Sequence, residues 1–294
     1  MNNIGELYYK EYYKEVNFEY IFKKNIDRDD EALIKSNEAL IKAKNDNLKK
    51  SKLLLIENPI IAIINEEEAN KLVIKAKISY PGLVTGIGLV HGSKRLKGAF
   101  NLGMHFDYTT GMPVVYGSSV KGVLRDYFTR SYCNDEKCYD DDLFRDIYKN
   151  KGIDVKDLFE DIFNGKKRDK SKDVIENGVL KKGYVYKSIY ERDIFFDAVI
   201  TNAYSDGRET HLLEDDSITP HTEGPLKNPI PITMLKIAPG CEIEFRFLLH
   251  KYKFEDKEFG ADQKLKLFGH ILERVGVGAK TNVGYGQLEL LPKK

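Results

Sequence analysis

Two stretches of this chain combine glycines, hydroxyls and cations at spacings that suit an anionic ligand. The first reads Gly117-Ser118-Ser119-Val120-Lys121-Gly122-Val123-Leu124-Arg125, with further apolar residues at Tyr127 and Phe128. Apolar positions at Val120, Val123, Leu124, Tyr127 and Phe128 trace one face of an amphipathic helix. Ser118 or Ser119 suits the N-cap, its hydroxyl accepting from a first-turn backbone N–H. Lys121 and Arg125 stand four residues apart and therefore point to one side. A helix start with free N–H groups, hydroxyls and two stacked cations is a ready site for a phosphate. The plainer alternative is a capped surface helix whose two cations face solvent.

The second stretch, Gly276 to Gly286, places Gly276, Gly278, Gly284 and Gly286 between a predicted helix and a predicted strand. Glycines allow positive φ and can expose successive N–H groups as an anion-binding nest. Lys280, Thr281 and Asn282 add donors at the centre, and Tyr285 offers a ring for base stacking. The alternative is a tight turn at the edge of the domain. Neither stretch is a nucleotide fingerprint. The second follows a helix and reads G-x-G-x-x-T, and Lys121 precedes Gly122 where a phosphate-binding P-loop needs the reverse, which disfavours a nucleotide triphosphatase.

Other clusters are weaker. His91, Lys94, Arg95 and Lys97 fall within one glycine-flanked loop and suit a sugar-phosphate backbone or, equally, a solvated surface. Cys133 and Cys138 resemble half a zinc site, but no second C-x-x-C or H-x3-5-H pair completes it, so no metal is expected. His211 and His221 with Asp215 and Asp216 invite a hydrolase or nuclease reading, since a metal-independent ribonuclease needs a base beside the attacking 2′-hydroxyl. No nucleophile elbow or other hydrolytic signature accompanies them. These loop histidines are read as structural, and neither catalytic residues nor a cofactor are expected.

The elements that must position these residues can be read in outline. With 47 Lys+Arg against 46 Asp+Glu, total charge gives no support for nucleic-acid binding, so any basic surface must be local. No apolar run reaches membrane-span length and the start lacks a signal-peptide core, so a cytoplasmic protein without a membrane partner is expected. Three scattered cysteines fit reduced thiols better than a disulfide framework. Residues 1–52, rich in Tyr, Lys, Glu and Asn, read as a helical arm docking on a partner surface, with Leu33, Ile34, Leu40 and Ile41 as a weak stripe. The compact part begins at 53, and the charged stretch 133–192 reads as a helical or irregular insertion outside the core. Without the insertion, a strand over 71–79, a helix from 118, strands at 194–200 and 241–249, a helix over 261–274 and a closing strand follow in order. That β-α-β-β-α-β sequence predicts an α+β, ferredoxin-like (RRM-like) split βαβ core; the fold class by itself fixes no function.

The run Phe106-Asp107-Tyr108-Thr109-Thr110-Gly111-Met112-Pro113, followed by the glycine-serine stretch at 117–125, resembles the RAMP superfamily of CRISPR-associated proteins. The loop 276–286 resembles that family's glycine-rich loop, and Phe196-Asp197-Ala198 its central strand. The Asp-Tyr-Thr-Thr-Gly lead-in, Ile218-Thr219-Pro220-His221 and Lys227-Asn228-Pro229 are similar to the sixth-subunit group of the Cmr (type III-B) effector complex. The likeness runs in blocks over roughly 80–290, leaving 1–52 and 133–192 uncovered; four motifs in order are more specific than any one. It implies a non-catalytic subunit near the 3′ end of guide RNA, packed on neighbouring RAMP subunits and in contact with guide and target RNA. Gly117, Ser118, Ser119, Lys121 and Arg125 would then hold guide backbone or brace the surface that does, with contacts to phosphate and ribose since base pairing reads the sequence. A RAMP endoribonuclease acting through His91 or His221, or a purely structural scaffold subunit, are the other expectations.

Overall fold

The computed structural model describes residues 3–23, 26–54, 72–86, 96–100, 103–131, 142–219 and 231–292. In chain order its main elements are helix α1 (Arg28–Lys49), strand β1 (Val73–Ile78), β2 (Val114–Val115) and α2 (Gly117–Ser131). Next come α3 (Asp142–Lys151), α4 (Val155–Asn164), β3 (Lys166–Arg168), β4 (Tyr184–Tyr186), β5 (Ile194–Phe195) and β6 (Ala198–Asn202). The chain closes with β7 (Leu213–Ile218), β8 (Ile232–Ile237), β9 (Glu242–Leu248), α5 (Ala261–Val275) and β10 (Leu288–Leu290). Of the apolar runs 53–56 and 60–64 that open the compact part, only Leu53 and Leu54 lie among the described residues.

The chain is a mixed α+β protein whose main sheet is antiparallel, ordered β10-β1-β9-β6-β2, with β5 also paired to β9. Alternation along β1 sends Ile74, Ala76 and Ile78 inward, and Lys75 and Lys77 outward. On the inner face α5 lies close against Ile74 and Leu290, and it also packs on α2. On the outer face Lys75 stands opposite Glu244 and Lys77 opposite Glu242. Glu244 takes Lys75 at 3.6 Å and Arg246 at 2.6 Å. On β1 and β9 this outer face is a charge ladder with no aromatic platform on which bases could stack.

Helix α1 shows why its inner face was hard to read. Its buried residues are Asp30, Asn37, Ile41, Asn45 and Leu48, so three of the five are polar. Each is satisfied. Asn37 accepts from the backbone N–H of Asn17 and donates to its carbonyl, while Asn45 accepts from the Tyr12 hydroxyl at 2.7 Å and donates to the Gly98 carbonyl. Tyr8, Tyr12 and Tyr20 are buried, and Tyr9 donates to the Met104 carbonyl. The tyrosine-rich segment docks on the chain's own Phe100, Met104 and Phe106 and on Asn45 of α1.

The insertion also departs from its expected place outside the core. Phe144, Ile147, Ile153, Val155, Leu158, Ile162 and Phe163 belong to the main hydrophobic core. Phe128 of α2 meets Phe144 and Phe163 edge-on at 4.7 and 5.0 Å. A buried ionic network fastens the same junction. Lys264 of α5, with no exposed surface, donates to Asp161 at 2.8 Å and to Asp193 at 2.6 Å. Lys187 takes the other oxygen of Asp161, and the His250 N–H the other oxygen of Asp193. Charges removed from water need this degree of pairing to be tolerated. The apolar spacing of each helix of the insertion is local, whereas the Lys264 tether joins it to α5 across some hundred residues of sequence.

Candidate nucleic-acid interface

The first candidate stretch opens α2 at Gly117, two residues before a Ser118 cap would start the helix and three before a Ser119 cap would. The Gly117 N–H donates to the Asp197 carboxylate at 2.7 Å, and the Ser119 and Val120 N–H groups both donate to the Tyr116 carbonyl. A protein carboxylate therefore stands where a bound phosphate was expected, which is where a helix start favours negative charge. Gly117 is required here because a Cβ would lie 2.1 Å from the Phe195 carbonyl. Ser118 is exposed and Ser119 half-buried, and neither caps the helix. Asp197 belongs to the Phe196-Asp197-Ala198 motif, so two of the sequence blocks meet in this one hydrogen bond.

Lys121 and Arg125 emerge together from the next turn, as their spacing requires. The Lys121 ammonium lies 5.5 Å from the centroid of the Phe195 ring, and the Arg125 guanidinium 5.6 Å from that of Phe159. Burial, then the positive charges of Arg125 and Arg192, push the Lys121 pKa below its usual value, only partly opposed by Asp193. Among the described residues no carboxylate pairs with either cation. Between them sits Gly122, exposed, where an added Cβ would meet nothing within 4 Å.

The glycine loop differs from an open nest. Gly278 adopts φ +93°, and a Cβ there would lie 2.3 Å from the Val84 carbonyl, so only glycine permits this crossing. The Val277, Ala279 and Gly286 N–H groups donate to the carbonyls of Gly286, Val84 and Gly82. Those of Val283, Gly284 and Tyr285 are used within the loop. Most of the amides expected to face a ligand are thus used within the loop, and two more pin it to residues 82–84. Tyr285 is buried as well. Its hydroxyl donates to Asp216 at 2.8 Å, beside Lys236 on the same carboxylate, so the ring braces the loop and is not offered for stacking. Burial raises the Asp216 pKa, but hydrogen bonds from Lys236 and Tyr285 outweigh it and hold the group below the usual range. What the loop presents is its tip, with Lys280 and Asn282 exposed and Thr281 half-exposed.

The two stretches are linked through residues 82–86. Val84 bridges Ala279 on one side, while Thr85 accepts from the His105 N–H on the other. His105 in turn stacks on Tyr116 at 4.5 Å, next to the start of α2. Of the basic loop cluster, His91, Lys94 and Arg95 lie outside the described residues. Lys97 lines a shallow groove with Glu38, Lys42, Asp46, Lys49 and Asp215, a surface of mixed sign. Cys133, Cys138 and His221 also lie outside the described residues. Asp215 pairs with Lys49, and His211 lies 3.7 Å from Asp206, so these acids and His211 have structural partners of their own. Cys241 is buried and donates to the His211 carbonyl, burial pushing its thiol pKa up to about 11. Among the described residues no three metal-ligating side chains converge, and no helix is long and apolar enough to cross a membrane.

The RAMP superfamily signature matches residues 75–289, most of the chain and both functional stretches, and the chain belongs to that superfamily. Among solved structures it is similar to a chain of a type III-B Cmr-beta complex bound to cognate target RNA. That match has 21% identity and a TM-score of 0.49, covering 96% of this chain and 79% of the other. It is also similar to Cmr6 from Pyrococcus furiosus, at 20% identity and TM-score 0.37, covering 75% of this chain and 97% of that one. Cmr4 from Pyrococcus furiosus follows at 11% identity and TM-score 0.30, with coverages of 75% and 98%. No curated protein matches.

Proposed function

We propose that this chain is a non-catalytic RNA-binding subunit of a CRISPR surveillance complex of the Cmr, type III-B, kind. In this reading it holds guide RNA backbone near the 3′ end and packs on neighbouring RAMP subunits in the cytoplasm, where target RNA is engaged. The order β10-β1-β9-β6, with α2 and α5 as crossovers, is read as the ferredoxin-like split βαβ arrangement. The observation that carries the proposal is the pair Lys121 and Arg125, seated on aromatic rings and without a carboxylate partner among the described residues, at the superfamily's glycine-serine run. Gly122 supports it. Glycine inside a helix costs about 1 kcal/mol relative to alanine, and here no neighbour requires it. Its bare backbone lets a sugar-phosphate chain come close to the helix on the flank of the two cations.

Sequence would then be read by the guide's own pairing, with the protein touching phosphate and ribose. Retention of end-labelled single-stranded RNA by the purified chain, followed by electrophoresis of the retained RNA, tests both halves. The expected result is retention of several unrelated sequences with comparable affinity and no shortened products. Failure to retain RNA would contradict the binding half. Metal-independent cleavage lost in His91→Ala or His221→Ala would contradict the non-catalytic half and establish an endoribonuclease.

A further inference from the structure

We propose that Arg192, at the end of the insertion, completes a three-cation phosphodiester site with Lys121 and Arg125. The inference rests on the RNA-binding reading above and adds a residue and a segment to it.

Two elements distant in sequence converge here over a continuous aromatic floor. Phe159 of α4 packs on Phe163 with centroids 5.3 Å apart, and Phe163 stacks on Phe195 at 6.1 Å. Arg125 and Lys121 sit over the two ends of this row, on Phe159 and Phe195. Arg192, three residues before Phe195, lies against Gly165, the C-cap of α4. Its Nε and Nη2 donate to the Lys187 carbonyl at 3.3 and 3.1 Å, and its guanidinium lies 5.9 Å from the Tyr186 centroid. Lys121 feels the positive charge of both arginines. Arg192 thus arrives pre-oriented, with Nη1 and the far edge of the guanidinium free of that bond.

The acid that ought to neutralise this cluster is engaged elsewhere. Asp193 adjoins Arg192 in sequence and is the carboxylate that acts on Lys121, yet its side chain is fully buried between Lys264 and the His250 N–H. Glu191 accepts from the Ser188 N–H. Among the described residues, no carboxylate lies within ion-pair distance of Lys121, Arg125 or Arg192. Elsewhere the interior cations Lys187, Lys236, Arg168 and Lys264 all have carboxylates at 2.9 Å or less. Lys121, Arg125 and Arg192, set about one aromatic row with no acid at ion-pair distance among the described residues, leave their counter-charge to come from outside. A phosphodiester fits, because a planar guanidinium and an ammonium can share its two free oxygens.

The test measures RNA affinity across a salt series for wild type, Arg192→Gln, Arg192→Lys and the double variant Lys121→Glu/Arg125→Glu, each checked for an unchanged melting curve. Arg192→Gln should weaken binding roughly three- to tenfold at moderate salt and flatten the log–log salt slope by about 0.7. Arg192→Lys keeps the charge while losing the two-point bond to Lys187, so it should retain most of the affinity and the full slope. If both Arg192 variants weaken binding alike with the slope unchanged, Arg192 is only a brace for the insertion and the inference is overturned. If the double variant loses RNA while Arg192→Gln does not, this inference fails and the RNA-binding reading stands; if neither variant matters, that reading itself fails. Loss of poly-glutamate peptide binding in Arg192→Gln, with RNA binding intact, would instead assign the face to an acidic protein segment.

Discussion

Two lysines, one on α2 and one on α5, share one neighbour and have opposite surroundings. Lys264 of α5 is fully buried with carboxylates at 2.6 and 2.8 Å. Lys121 of α2 is half-buried over Phe195, feels Arg125 and Arg192, and gains only distant attraction from Asp193. Burial raises the Asp193 pKa, with Lys264 pulling it down; the carboxylate is directed to the lysine that holds the insertion to the core. The pairing at Lys264 is architectural, and its absence at Lys121 is what the proposed RNA-binding role uses. A charged residue's role is thus set less by its exposure than by whether the fold has already supplied its counter-ion.

The comparison is broken most forcefully at Lys264. Lys264→Met leaves Asp193 and half of Asp161 without their cation, and urea denaturation should show a loss of about 3–5 kcal/mol, the cost of breaking a buried pair. A loss below about 1 kcal/mol would mean that the network does not hold the insertion. The second probe is Gly122, where nothing crowds a side chain. Gly122→Ala should raise stability by about 0.5–1 kcal/mol while lowering RNA affinity; equal affinity would remove the glycine from the interface. The smallest effect belongs to a charge whose partner is in place within the insertion itself. Arg168 grips Asp173 at 2.5 and 2.7 Å and holds its pKa to about 2. A carboxyl depressed on folding contributes stability above its unfolded pKa of about 3.9, lost as pH falls through the folded value. The stability gap between wild type and Asp173→Asn should therefore be constant above about pH 4 and close as pH drops toward 2.

Much of the fold was legible because it is local. Alternation in 72–78 and helical spacing in 120–128 and 261–274 correspond to a strand and two helices of the mixed α+β chain. What escaped depends on residues far apart in sequence. Asn37 and Asn45 look like surface residues until Asn17, Tyr12 and Gly98 supply their partners. Asp161 looks like one of many acids in a charged insertion until Lys264 reaches it. At the candidate site, the types and spacing of Lys121 and Arg125 were readable. The state of the backbone donors was not, since the carbonyls of Tyr116, Val84 and Gly82 that absorb them carry no sequence signal. Nor was Arg192 distinguishable among 47 basic residues, because the feature that marks it is an acid turned away.

The central claim is that the cationic face of α2 grips RNA backbone. It is tested most directly by the salt dependence of RNA binding in wild type and Lys121→Glu/Arg125→Glu. The account predicts that the variant stays folded, binds every sequence more weakly by a similar factor, and shows a log–log salt slope shallower by about 0.7 for each lost contact. A folded variant whose affinity and slope match those of the wild type would contradict it.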